Sequence, residues 1–220
     1  LLEGVRWNLL LVYLFAFGTA MDLARRAFAQ LDGRPATRLL ATGAAAVTLS
    51  LAALPAWLLP VPHLPAPTGP YPVGTDTLEY ALPEDVPRAI EGVDRVRARI
   101  WYPADAAATA GAACGDTWLE HEDSMLPALA RRAGLPGFAL GHLAHVATHA
   151  CWRVDAVPVG TLPIVTLDHG RGGFAAQSSY LAEELASHGY VVVAPDHPGG
   201  AVLSIFRDGT RVPFDEASFG

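Results

Sequence analysis

Between Leu162 and Pro195 the chain runs through an apolar segment, a glycine turn, a helix-like segment and a second apolar segment, and this order constrains the fold more than any other feature. Leu162-Pro163-Ile164-Val165-Thr166-Leu167-Asp168 has the near-continuous apolar character of a strand covered on both faces of a parallel sheet. His169-Gly170-Arg171-Gly172-Gly173 interrupts it, and the spacing predicts a helix from about Ser178 to His188. Ser178 or Ser179 suits the helix start, Glu183 and Glu184 fall in its early turns, His188 sits where a cation is favoured, and Gly189 suits the position after the end. Tyr190-Val191-Val192-Val193-Ala194-Pro195 then reads as a second buried strand. Strand, helix and strand at this spacing form a right-handed crossover, which makes the sheet parallel here.

Upstream, the pattern is of shorter β-like runs, Thr77 to Leu82 and then Val93 to Tyr102. In the second, Val96, Ala98 and Ile100 alternate with Arg95, Arg97 and Arg99, the signature of a half-buried antiparallel strand. Ala104 to Gly115 reads as a surface loop, and Trp118 to Ala150 as helix in pieces, broken at Pro127 and Pro136.

In an open parallel sheet, ligands gather beyond the carboxyl ends of the strands. Those ends carry His169 to Gly173 and Asp196-His197-Pro198-Gly199-Gly200, so a site is expected between them. Gly170, Gly172 and Gly173 let the backbone turn sharply and aim N–H groups at one point, as oxyanion stabilisation in acyl transfer requires. One such donor contributes about 3 to 4 kcal/mol in the transition state. Asp196 and His197 are adjacent in sequence, which rules out the usual triad hydrogen bond between them, and they read as residues that shape the loop or line a pocket.

Four pieces together resemble the platelet-activating factor acetylhydrolase family of α/β-hydrolases: Arg99-Ile100-Trp101-Tyr102-Pro103, the His169–Gly173 turn, the Leu181–Tyr190 helix exit, and the Asp196–Gly200 loop. The resemblance implies that the backbone N–H of Arg171, after Gly170 in the turn, is one oxyanion donor; His169, Gly172, Gly173, Asp196 and His197 are the candidate pocket residues by their place at the strand ends. It also implies a nucleophilic serine in a Gly-x-Ser-x-Gly elbow, with its acid and base later in the chain. No such elbow occurs here; in the nearest match, Glu216-Ala217-Ser218-Phe219-Gly220, a glutamate replaces the first glycine. The chain, which begins at Leu1 and ends at Gly220, therefore reads as the N-terminal part of a hydrolase, stopping before the nucleophile and inactive by itself.

A mean hydropathy of +0.27 is high for such a domain. Leu39 to Leu59 carries no charged residue and is long enough to cross a bilayer as a helix, and Leu9 to Met21 is a shorter candidate. Arg25, Arg26, Arg34 and Arg38 lie between them, which places that loop in the cytoplasm and everything after Pro62 outside it. A cleaved signal in the second stretch would instead give a secreted protein. The expected organisation is thus a membrane hairpin or anchor over 1–62, a proline-rich spacer over 63–76, and a partial hydrolase domain over 77–220. The expected fold class is α/β: a partial α/β-hydrolase sheet, antiparallel strands first and a parallel βαβ unit after, preceded by one or two transmembrane helices.

An exported setting is where Cys114 and Cys151, the only cysteines, would oxidise to a disulfide; two separate buried thiols are the alternative. His142, His145 and His149 with Cys151 could make a metal face or a histidine-rich helix against the core, and no metal or other cofactor is assigned. A net charge of -7 argues against nucleic acid as a partner. The expected function is a serine-type lipid esterase releasing short or oxidised acyl groups from phospholipids, with the membrane and a phospholipid or short-acyl ester as partners. A broader carboxylesterase or polyester hydrolase and a membrane-anchored, non-catalytic binding module are the alternatives.

Overall fold

The structure is a computed structural model that describes Gly18, Thr19, Asp22 and residues 60–87, 90–158 and 160–219. The chain divides into two compact units, Leu1–Val61 and Pro62–Gly220. The second contains the sheet.

Five strands form one open sheet in the order β3-β1-β2-β5-β4: β1 (Val73–Ala81), β2 (Arg95–Pro103), β3 (Cys151–Trp152), β4 (Ile164–Thr166) and β5 (Val191–Asp196). β1 and β5 both run antiparallel to β2, while β4 runs parallel to β5 and β3 parallel to β1. A separate hairpin pairs β6 (Leu203–Ile205) with β7 (Arg211–Pro213). The helices of this unit are α1 (Ala106–Thr109), α2 (Glu122–Arg132) and α3 (Ser179–Ser187). Together these make an open, partial α/β sheet of mixed strand direction.

Among the described residues no helix is long and apolar enough to cross a membrane. The longest helix of the Pro62–Gly220 unit, α2, has 11 residues, about half of what a span needs. This overturns the expected fold class with its one or two transmembrane helices, and with it the membrane as partner and the membrane-anchored location. Leu39 to Leu59, and all of Leu9 to Met21 except Gly18 and Thr19, lie outside the described residues.

α3 forms where the periodicity placed it, and it covers one face of the sheet. Ala182 and Ala186 join Trp101, Val192, Ala194 and Val73 in the main core cluster, small helix residues fitting over a large central tryptophan. Neither serine caps α3 through its side chain: the Ser179 hydroxyl donates to Ala176 O at 2.8 Å instead. The far end closes as expected, with Gly189 at φ +98° and its N–H donating to Ala186 O at 3.0 Å.

Three local expectations fail for identifiable reasons. β2 is not half-buried: it sits mid-sheet, and Arg99 is 2% exposed because the segment around Trp118 and Glu120 folds over that face. β4 is not covered on both faces: it is an edge strand, and Ile164 is 69% exposed. Pro127 does not break α2: it sits in the second turn of a helix that runs unbroken from Glu122 to Arg132.

Candidate active site

Parallel pairing sets Val165 opposite Val192 and Thr166 opposite Val193, so the segments that leave β4 and β5 emerge side by side. Backbone hydrogen bonds then zip them together. Gly172 N–H donates to Gly200 O at 2.8 Å and Val202 N–H donates to Gly173 O at 2.8 Å, while Gly173 N–H closes the turn onto Gly170 O, also at 2.8 Å. Gly172 takes φ +70°, a conformation that side chains resist. The N–H groups of Gly172 and Gly173 are thus engaged within the protein, and the turn is held in one shape.

The two histidines at the strand ends make different bonds. His197 N–H donates to Nε2 of His169 at 3.2 Å, so that nitrogen carries no proton, and the Nδ1–H of His169 donates to Gly170 O at 2.8 Å. The His197 ring turns the other way, its Nε2 lying 2.9 Å from Asp168 Oδ1 on the half-exposed rim. The ring centroids are 5.0 Å apart.

Asp196 lies beneath them, 3% exposed. Its Oδ1 accepts Ala175 N–H at 2.7 Å, and its Oδ2 accepts Arg97 Nη1 at 3.1 Å. Arg97 also bonds Glu120 Oε2 at 2.5 Å, Glu120 takes the Thr77 hydroxyl, and Arg99 Nη1 approaches Glu120 Oε1 at 3.7 Å. Burial pushes the Asp196 carboxyl above its usual range, outweighing the Ala175 N–H and Arg97. For Glu120 burial acts in the same direction, but Arg97, Thr77 and Arg99 together hold its carboxyl below the usual range. Burial pulls the Arg99 guanidinium down. A cavity of about 20 Å³, room for roughly one water, adjoins this network between Arg97, Glu120, Phe174 and Asp196.

The structure therefore brings His169, Gly170, Arg171, Gly172, Gly173 and His197 to one rim, with Asp196 buried beneath it. Cys114 and Cys151 lie elsewhere, joined in a disulfide with Cα atoms 4.0 Å apart that fastens the Gly115 loop to β3. Cys151 is thus engaged and His149 bonds Glu183 at 3.2 Å; among the described residues no group of three such ligands is placed to hold a metal. Sequence reasoning missed Asp168, Arg97 and Glu120. The arginines alternating with apolar residues in β2 were the available signal for Arg97.

The family described as "Platelet-activating factor acetylhydrolase, isoform II" matches residues 59–210. Among solved structures, a ferulic acid esterase from Streptomyces cinnamoneus is similar at a TM-score of 0.53 and 27% identity, over 69% of this chain and 41% of that one. The chain thus spans about two-fifths of the length of that esterase. No curated protein matches the chain.

Proposed function

Because the chain belongs to the platelet-activating factor acetylhydrolase family of the α/β-hydrolase superfamily, we propose that it supplies the oxyanion-stabilising side of a serine-type carboxylic ester hydrolase of broad specificity. The observation that carries this reading is the zipped pair of loops at the carboxyl ends of β4 and β5. A preformed turn needs no reorganisation when charge develops on the ester oxygen, and that is the condition under which a backbone donor is most effective. The Arg171 N–H is the proposed donor, as the residue after the first glycine of the turn. His169 fixes the start of that turn through Gly170 O, and Asp196 fixes its end through Ala175 N–H.

In this reading the attacking group is a serine hydroxyl, deprotonated by a histidine as it adds to the ester carbonyl, and the turn binds the oxygen that becomes negative. None of these 220 residues forms a Gly-x-Ser-x-Gly elbow. The likeness to a ferulic acid esterase supports carboxylic ester hydrolysis in general over a specialised phospholipid activity.

The test compares p-nitrophenyl acetate turnover and fluorophosphonate labelling for the 220-residue chain and for the longest product of its gene. Labelling and turnover confined to the longer product fit the proposal. Serine-dependent turnover by the 220 residues alone, or a serine elbow that labels without hydrolysing any ester, defeats it.

A further inference from the structure

Arg171 of the turn and Arg132 at the end of α2 hold the same carboxylate. Arg171 Nη2 lies 2.8 Å from Glu216 Oε2 and Arg132 Nη1 lies 3.4 Å from Glu216 Oε1, one guanidinium to each oxygen. Both guanidiniums also sit over the Phe214 ring, with Cζ 5.7 Å and 4.2 Å from its centroid, so an aromatic face gathers them independently of the carboxylate. That face is anchored to the site: Phe214 N–H donates to Val202 O at 3.3 Å and Asp215 N–H donates to Gly199 O at 2.9 Å. Arg132 lies directly against the turn, since a Cβ added at Gly172 would fall 2.6 Å from its Nε.

The side chain of Glu216 is 70% exposed, and an exposed ion pair is easily exchanged for another of the same geometry. We propose that Arg132 and Arg171 form an anion subsite beside the oxyanion turn that takes a free carboxylate carried by the ester substrate, with Glu216 as its built-in competitor. The inference rests on the ester-hydrolase reading and narrows it to esters that also bear a carboxylate, such as half-esters of dicarboxylic acids and oligomers of hydroxy acids. A carboxylate is favoured over a phosphate because the occupant seen is a carboxylate, each oxygen meeting one planar guanidinium.

The test follows the Arg132 and Arg171 resonances of the isotopically labelled chain by NMR during titration with monomethyl glutarate, dimethyl glutarate or inorganic phosphate. Monomethyl glutarate is expected to shift both resonances and dimethyl glutarate neither. Glu216→Gln, a change at an exposed position that leaves the fold intact, tightens monomethyl glutarate by about two- to fivefold, and Arg132→Gln or Arg171→Gln abolishes its effect. Equal binding of the diester, an affinity indifferent to Glu216→Gln and to both arginine changes, or a clear preference for phosphate each overturns the proposal. Binding is read here without turnover, so a failed titration leaves ester hydrolysis standing, and a chain without turnover still reports on the subsite.

Discussion

Oδ1 of Asp196, the last residue of β5, accepts the backbone N–H of Ala175 at 2.7 Å, and so ties the segment leaving the glycine turn to the end of the neighbouring strand. The other carboxylate oxygen faces Arg97 of β2, which makes one buried side chain the link between turn, strand end and sheet interior. Asp196→Ala leaves the Ala175 N–H without this acceptor and removes one of the two carboxylates facing Arg97. The expected loss is roughly 1–3 kcal/mol, the cost of leaving a buried donor unsatisfied, since Arg97 keeps Glu120 as its partner. Asp196→Asn keeps an oxygen for Ala175 and costs less. Urea denaturation of both variants decides the ranking, and faster amide exchange at Ala175 in the alanine variant alone locates the damage at the turn.

The His169 tautomer is fixed by its neighbours, because Nε2 receives the His197 N–H at 3.2 Å and only Nδ1 is left to donate to Gly170 O. At about pH 8, where free histidine is neutral, the ¹⁵N shifts of His169 should report a proton on Nδ1. A proton on Nε2 would mean that the clasp between the two loops is absent in solution.

How much of this was legible beforehand depends on whether the governing contacts were local. The helix from Ser179 to Ser187 and its Gly189 exit could be read because their causes lie within a few residues. Burial could not be read in the same way. Ile164 looks like a core residue in any local window and is exposed because of where β4 falls in the strand order. Arg99 looks solvated and is buried because the chain around Trp118, far from it in sequence, closes over it. The site followed the same rule: the glycines announced the turn, whereas Arg97, Glu120 and Arg132 reach the site only through the fold. The expected membrane spans rested on hydropathy alone, and no helix among the described residues has the length they need.

The Cys114–Cys151 disulfide closes a loop with a sequence separation of 37. On the chain-entropy account its loss costs about 4 kcal/mol. Cys114→Ser with Cys151→Ser should lower stability by about 2–4 kcal/mol while leaving the turn's hydrogen bonds in place, since neither cysteine touches them. Calorimetry on oxidised and reduced protein checks the first statement, and amide exchange at Gly172 and Gly173 checks the second.

Glu183 of α3 is fully buried, and both its bonds from His149, through the backbone N–H at 3.1 Å and the ring at 3.2 Å, fall on Oε2. Burial pushes its carboxyl above the usual range, more than the His149 contacts lower it. A carboxyl of this kind holds its proton more tightly in the folded state than in the unfolded chain. Its contribution to stability is therefore present below the ordinary glutamate value of about 4.3 and is lost as pH rises through the raised one. Glu183→Gln keeps an oxygen for His149 but cannot ionise. Its stability should rise relative to wild type as pH climbs above the ordinary glutamate value of about 4.3 in urea denaturation, and a difference that stays flat with rising pH would show that the folded-state shift is absent.

Gly170 and Gly173 bracket the turn, yet only one of them should resist a side chain. A Cβ at Gly170 meets nothing within 4 Å, whereas one at Gly173 would stand 2.2 Å from Gln177 Oε1, 2.9 Å from the Gly170 carbonyl oxygen and 3.1 Å from His169 Cβ. Gln177 can swing aside. The carbonyl cannot, because it accepts both the Gly173 N–H and the His169 ring, so relieving the clash means opening the turn. Gly170→Ala should therefore change stability by less than about 0.5 kcal/mol, and Gly173→Ala should cost about 1–3 kcal/mol and release the Gly172 amide to exchange. If the two variants behave alike, the turn is looser than its hydrogen bonds imply, and a preformed oxyanion site loses its structural basis.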